Sequence, residues 1–361
     1  MPSTLPCYRY YAAEISYFSG KVRPALRYKG LHFQELLPDV VNAILPRTGL
    51  TFIPILVTPE DETLQDTSDI LDELERRHPT PPLYPTSPVH RVVCYLWELY
   101  ADEFGLLPGM HYRWSFPESE AHARGSFAAV SGNATLSGSF ADRMHGSLPF
   151  LGVQPQTIPA IEAHTHELLD ALCAHFEKHP FLLGDRMSLA DCSLMGPFYG
   201  HLYLDATPGA MLRECAIPVC HWIERMNHPD PDAEGAWFEN DALVPTQRSL
   251  LELTGRDAAR FLVDGVRAIE SWADERPPDM EEPPRAVGGY ETTLRGVDVT
   301  RMMSIYSLWI FQRPLDAYKA LSADERKAVD AAVAGTGWEE VLAYRPRHRL
   351  GKRNFKLVFE S

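Results

Sequence analysis

Ser16 and Ser19 stand where a run of aromatics and small residues, "RYYAAEISYF", passes into the basic amphipathic stretch "GKVRPALRYKG". A serine at such a handover accepts a hydrogen bond from a backbone N–H that the first helical turn leaves without a partner. The same place, beside the partial positive charge of a helix N-terminus, also suits an anion or an activated nucleophile. Farther along, Asp66, Thr67 and Ser68 precede an Ile70, Leu71, Leu74 stripe, the pattern of a capped amphipathic helix. A third group, His111, Tyr112, Arg113 and Trp114 with Phe116, sets aromatic faces beside one cation. That set suits a planar, anionic molecule; the alternative is that Trp114 and Phe116 are core and Arg113 makes a structural ion pair.

The elements that must position these residues follow from pattern. Cys7 to Ala12 suits a short buried strand, and Ser19 to Gly30 a helix with its stop signal at Lys29-Gly30. "HFQELL" reads as a second strand, and "TFIPILV" (51–57) as a third, interrupted at Pro54, which has no N–H to give a ladder. The order is then β, α, β, loop, β, helix. Pro24, just past the first turn of the first helix, predicts a bend there. The proline-dense "HPTPPLYPTSP" (78–88) marks a boundary, after which "HRVVCYLWELYADEFGLL" and "IPAIEAHTHELLDALCAHFEKHP" have helical spacing. The small-residue stretch 125–146 between them has no clear period. Ser188 and Asp191 sit at capping-box spacing before a nearly all-apolar helix. Beyond "NHPDPD" the chain alternates helical stretches with a loop at "DERPPDMEEPPRAVGGY" and ends on a strand-like "NFKLVFE".

Length, charge and cysteine usage bound the class. A chain of 361 residues predicts two or three structural units. With 45% hydrophobic and 23% charged residues it reads as a soluble globular protein, and no apolar run approaches the roughly 20 residues that span a bilayer. A net charge of −15 argues against a nucleic-acid partner, and the basic cluster from Arg345 to Lys356 reads as a solvated segment. The six cysteines form no C-x-x-C pair and match no zinc spacing, so no metal is expected. No signal-type apolar stretch follows Met1, which points to a reducing cytoplasm.

Taken in order, "SYFSGKVRPALRYKGL", the "FIPIL" turn at Pro54, "LQDTSDILDEL" and "FLLGDRMSLADCSLMGPF" resemble a cytosolic glutathione S-transferase over about residues 7 to 229. The resemblance implies an α/β plus all-α chain: a thioredoxin-like glutathione-binding domain at 1–80, an all-helical domain at 86–229, and a C-terminal extension at 230–361 packed on the body. It implies a cis Ile53-Pro54 bond, with Ile53 pairing to the backbone of glutathione's cysteine. The family's Glu-Ser or Gln-Ser pair falls on Asp66-Thr67, whose hydroxyl, helix N–H groups and carboxylate suit the carboxylate and ammonium of the γ-glutamyl end. Ser16 falls where serine-type and cysteine-type members place the active group; its hydroxyl would donate to glutathione's sulfur and favour the thiolate. Ser19, Tyr10, Tyr11 and Tyr17 remain alternatives for that role, the tyrosines having core or wall packing as their other reading. No cysteine stands at Ser16, Tyr17 or Phe18, which argues against a thiol reductase.

The implied activity is a glutathione-dependent transferase or lyase acting on a hydrophobic or aromatic electrophile by conjugation, thioether or ether cleavage, or dehalogenation. Detoxification or aromatic catabolism would be its setting. Tyr17, His111, Tyr112, Arg113 and Trp114 are the expected acceptor-pocket residues. The alternatives are a non-catalytic binding or scaffold protein of the same fold, favoured by the Asp66-Thr67 departure and the extension, and a glutathione-dependent isomerase. A homodimer is implied, with glutathione as co-substrate, no membrane partner, and the extension serving as a lid or a dimer interface.

Overall fold

The computed structural model describes residues 6–131, 134–232 and 235–360. Its elements run β1 (Tyr8–Tyr11), α1 (Tyr17–Tyr28), β2 (Phe33–Leu36), α2 (Leu45–Thr48), β3 (Ile55–Val57), β4 (Thr63–Gln65) and α3 (Thr67–Arg77). There follow α4 (Pro88–Leu99), α5 (Leu106–Trp114), α6 (Pro117–Ser131), α7 (Ala134–Gly146), α8 (Leu148–Leu151), α9 (Ile158–Phe176), α10 (Leu189–Met195), α11 (Ala206–Cys215) and α12 (Ile217–Asn227). The chain closes with α13 (Pro245–Asp274), β5 (Ala286–Leu294), β6 (Val297–Ser304), α14 (Ile305–Lys319), α15 (Ala323–Val333), α16 (Trp338–Ala343), β7 (Leu350–Arg353) and β8 (Lys356–Phe359). Wider, π-type turns occupy 40–44, 100–104 and 196–203.

Two compact units divide the chain, and they are interleaved. The first takes residues up to Tyr84, Tyr112–His145 and the stretch from Asp191 to 232; the second takes Pro85–His111, Gly146–Ala190 and 235–360. Compactness therefore groups residues differently from a linear split after residues 80 and 229. Ala233, where the extension would leave the helical body, lies outside the described residues, as do Gly132 and Asn133 in the small-residue stretch.

The first unit is built on a four-stranded sheet of order β2-β1-β3-β4. β1 pairs parallel with β2 through the α1 crossover and antiparallel with β3, which pairs antiparallel with β4. Parallel neighbours need such a crossover, and α1 supplies it with Val22, Ala25 and Leu26 wholly buried. Three details differ from the sequence expectation. α1 starts at Tyr17 rather than Ser19, because Ser16 takes the cap. Pro24 lies inside α1, which remains one helix. β4 is an additional strand, three residues whose pairing with β3 rather than any period defines it. Ile70, Leu71 and Leu74 are buried as their spacing predicts, and α3 packs against α1. The 196–203 segment lies along α1 so closely that a Cβ on Gly196 would come 2.9 Å from the Tyr17 ring.

The second unit is organised by the 30-residue α13, whose Leu250, Leu251, Ala258, Phe261, Leu262 and Ile269 are buried at helical spacing. It packs against α9, α14, α16 and β5, while α14 packs on α4. The extension contains more strand than its sequence suggests. β5 and β6 form a hairpin turning at Arg295 and Gly296, both at positive φ, where the left-handed turn matches strand twist; β7 and β8 form another. The basic residues of 345–356 lie exposed at the surface and pair with acids there: Arg347 with Asp274, Arg349 with Asp316 and Glu360, Arg353 with Glu281, and Lys356 with Glu282. Among the described residues no helix is long and apolar enough to cross a membrane.

Candidate active site

The turn between β1 and α1 carries the two serines. Ser16 is the N-cap of α1 in an extended conformation, and its Oγ accepts the Ser19 N–H at 3.3 Å. That leaves the Ser16 hydroxyl proton as a donor on a half-buried side chain at a helix N-terminus. Ser19 is wholly buried, its Oγ accepting the Ala13 N–H at 3.3 Å, so it stitches the turn together. Tyr10 is also buried; its hydroxyl donates to the Ser19 carbonyl at 2.8 Å, and burial pushes its ionisation far up. Tyr11 packs against the Ile44, Ile55, Val57 cluster. Tyr17 is buried with its ring edge-on to His201, centroids 5.1 Å apart. Of the four alternatives, then, Ser19 and Tyr10 are committed to internal bonds, and Tyr11 and Tyr17 have packed rings.

The start of α3 supplies the second part. Asp66 is its N-cap, with Oδ1 accepting the Ser68 N–H at 2.9 Å, and its φ of +78° is one that a residue with a side chain rarely adopts. Such conformations cost of the order of 1–3 kcal/mol and persist where surrounding structure enforces them, often at ligand clamps. Thr67 is buried at the first helical position, and Ser68 accepts from Lys21 Nζ at 3.1 Å. The Ile53-Pro54 bond is cis, and Ile53 is half-buried against the same apolar cluster as Tyr11.

The aromatic stretch on α5 is dispersed. His111 falls in the second unit, buried and hydrogen-bonded to Glu162 at 3.0 Å, and desolvation lowers its pKa toward a neutral ring. Tyr112, in the first unit, stacks on Phe116 with centroids 5.5 Å apart and planes 5° from parallel. Trp114 stacks on His145 and is buried with its Nε1–H unpartnered. Arg113 faces inward: Nε and Nη2 bind Asp205 at 2.7 and 3.4 Å, Nη1 donates to the Ile15 carbonyl at 3.1 Å and to His201 Nε2 at 2.8 Å, and Nη2 also donates to the Gly200 carbonyl. All five guanidinium N–H groups have internal acceptors, so Arg113 departs from the expected anion-holding pocket cation and takes the structural ion-pair alternative.

Sequence reasoning missed Gly200, His201 and Asp205. A Cβ on Gly200 would lie 3.0 Å from the Ser16 carbonyl oxygen and 3.1 Å from that of Ile15. The signal was in "GHLYLD", where a glycine interrupts an apolar helix and a histidine and an aspartate are four residues apart. Glu14 completes the turn, accepting from the Tyr199 hydroxyl and pairing with Arg23 at 3.2 Å.

A mixed four-stranded sheet with a cis-proline before β3, a capped helix after β1 and helices beyond defines the thioredoxin-like class of fold. The description of the glutathione S-transferase N-terminal domain matches residues 11–82, and that of its C-terminal domain matches 153–230. The chain thus carries a glutathione S-transferase N-terminal domain and a helical C-terminal domain, followed by an extra C-terminal segment that contains strands. No curated protein matches it. Among solved structures, a glutathione S-transferase from Rhodospirillum rubrum F11 is similar at 18% identity over 68% of this chain and 91% of the other, with a TM-score of 0.42. A glutathione S-transferase from Methylobacterium radiotolerans, solved with glutathione sulfonate, is similar at 20% over 66% and 100%, TM-score 0.39. A beta-etherase from Sphingobium sp. strain SYK-6 is similar at 17% over 68% and 98%, TM-score 0.40.

Proposed function

We propose that the protein is a glutathione-dependent transferase or lyase in which Ser16 stabilises the glutathione thiolate. The single observation that carries this reading is that Ser16 Oγ receives the helix N–H of Ser19 and keeps its own proton to donate, at the N-terminus of α1. A donor there lowers the cost of the thiolate, and the helix N-terminus adds a favourable field. Asp66 and Thr67 hold the γ-glutamyl end, and the Ile53 main chain beside Pro54 pairs with the cysteine backbone. With the thiol proton released to solvent, the sulfur attacks an electrophilic carbon, and the leaving group departs with the bonding electrons. Ser16 is then a stabiliser of charge rather than a nucleophile or general base.

For the acceptor, Tyr17, Tyr112 and Trp114 remain the proposed aromatic wall, with Arg113 removed from it and His111 assigned to its bond with Glu162. A hydrophobic or aromatic electrophile fits that wall. The reading includes a homodimer in the cytoplasm, with the extension as lid or dimer contact.

Isothermal titration of glutathione into wild type and Asp66→Ala tests the site. Saturable binding that weakens about tenfold or more in the variant supports it; no binding in either protein overturns it and leaves a non-catalytic protein of this fold.

A further inference from the structure

The buried Arg113 does more than neutralise Asp205. Its guanidinium reaches the carbonyl of Ile15, the residue before the α1 cap, and the carbonyl of Gly200, on the segment that runs against that turn. Arginine has no acceptor, so His201 must offer Nε2 as one, which places the proton of the neutral ring on Nδ1. Asp205, itself inaccessible, holds the other edge of the guanidinium. Gly200 leaves just enough room for the Ile15 and Ser16 carbonyls to lie against bare backbone. The turn that aims Ser16 is thus held between a charged fork and a glycine contact, both supplied by residues distant in sequence.

We propose that Arg113 is a positioning residue for thiolate stabilisation: by anchoring the Ile15 carbonyl, and being anchored by Asp205, it sets the direction of the Ser16 hydroxyl. The proposal rests on the Ser16 reading above. A planar fork bonded at five points fixes direction as well as distance, and a lysine in its place would offer a single point of attachment. Misplacement of a charge-stabilising donor by a fraction of an ångström weakens it where the sulfur becomes negative more than where the tripeptide merely binds.

The test uses the full chain. The double variant Arg113→Met with Asp205→Asn removes the fork without leaving a buried charge unpaired, which would by itself threaten folding. Gly200→Ala pushes on the same turn with no change of charge. Thiolate absorbance of bound glutathione is titrated with pH, and kcat and KM for glutathione are measured with a chlorodinitrobenzene as electrophile, alongside Ser16→Gly. Expected for the double variant is a KM within about threefold of wild type, kcat about tenfold lower or more, and a thiol titration moved about one pH unit upward, a tenfold loss of thiolate below it. Gly200→Ala should move the titration the same way, and it carries the test if the double variant does not fold. Arg113→Lys should recover folding but not the titration. If Ser16→Gly moves the titration and neither the double variant nor Gly200→Ala does, the positioning role is overturned and Ser16 stands. If Ser16→Gly leaves the titration unmoved, the Ser16 reading itself fails, and the positioning role with it.

Discussion

Ser19 N–H donates to Ser16 Oγ at 3.3 Å, while Ser19 Oγ turns inward to accept from Ala13 N–H at the same distance. Two serines one helical turn apart therefore answer different needs: the first caps α1 and presents a hydroxyl, and the second closes the turn beneath it. Capping and the proposed donation to a thiolate can therefore be tested separately.

Replacing Ser16 by glycine should cost only a few tenths of a kcal/mol, because glycine is a tolerable N-cap, whereas Ser16→Ala should cost about 1 kcal/mol. Both should lower kcat for glutathione conjugation by about tenfold or more. Urea unfolding beside steady-state kinetics reads the two effects apart. Full activity in both variants would remove Ser16 from the chemistry.

At Asp66 the positive φ makes glycine the comfortable residue. Asp66→Gly should hold or raise stability, relieving about 1–3 kcal/mol of backbone strain against a small loss of capping, while glutathione binds about tenfold more weakly. Asp66→Ala should lose both. Thermal unfolding and calorimetric titration of the two variants check this; unchanged binding in Asp66→Gly would limit Asp66 to a capping role.

His175 gives the second unit a pH dependence. Its Nε2 donates to the Phe181 carbonyl at 3.1 Å, its Nδ1 faces the Thr246 hydroxyl at 2.9 Å, and burial holds its pKa down to about 4. Unfolded, the ring takes a proton near pH 6.5. Between these values the unfolded chain holds more protons, so stability falls as pH drops from about 6.5 to 4, by about 3 kcal/mol from this residue. In His175→Gln that part of the slope should vanish. Urea midpoints at several pH values decide it, an unchanged slope being the contrary result.

In the same unit, Arg313 Nε binds the carboxylate of the fully buried Glu98 at 2.7 Å. Arg313→Met should destabilise by about 3–5 kcal/mol, since it removes one member of a buried ion pair, and adding Glu98→Gln should restore a large part of that. The double-mutant cycle measures the coupling directly; additive losses would mean the two side chains act independently.

The local pieces were legible in the order of residues. The stripe Ile70, Leu71, Leu74, the stop at Lys29-Gly30, the proline of "FIPIL" and the serine at a helix start are short-range signals, because periodicity, capping and proline geometry act within a few residues. Their order was enough for the two glutathione S-transferase domains, and it offers Ser16, Asp66 and Thr67 as site residues to test. The direction in which Arg113 faces comes from contacts far away along the chain. Its five partners come from Ile15, Gly200, His201 and Asp205, separated from it by 87 to 98 residues, and no local pattern encodes those meetings. The strands of the extension were likewise hidden, since β5 and β6 are half-exposed segments whose identity comes from pairing with each other and packing on α13. A hydrogen bond or a strand pair is a relation between two places in space, and a linear pattern specifies it only where the two places are also neighbours in the chain.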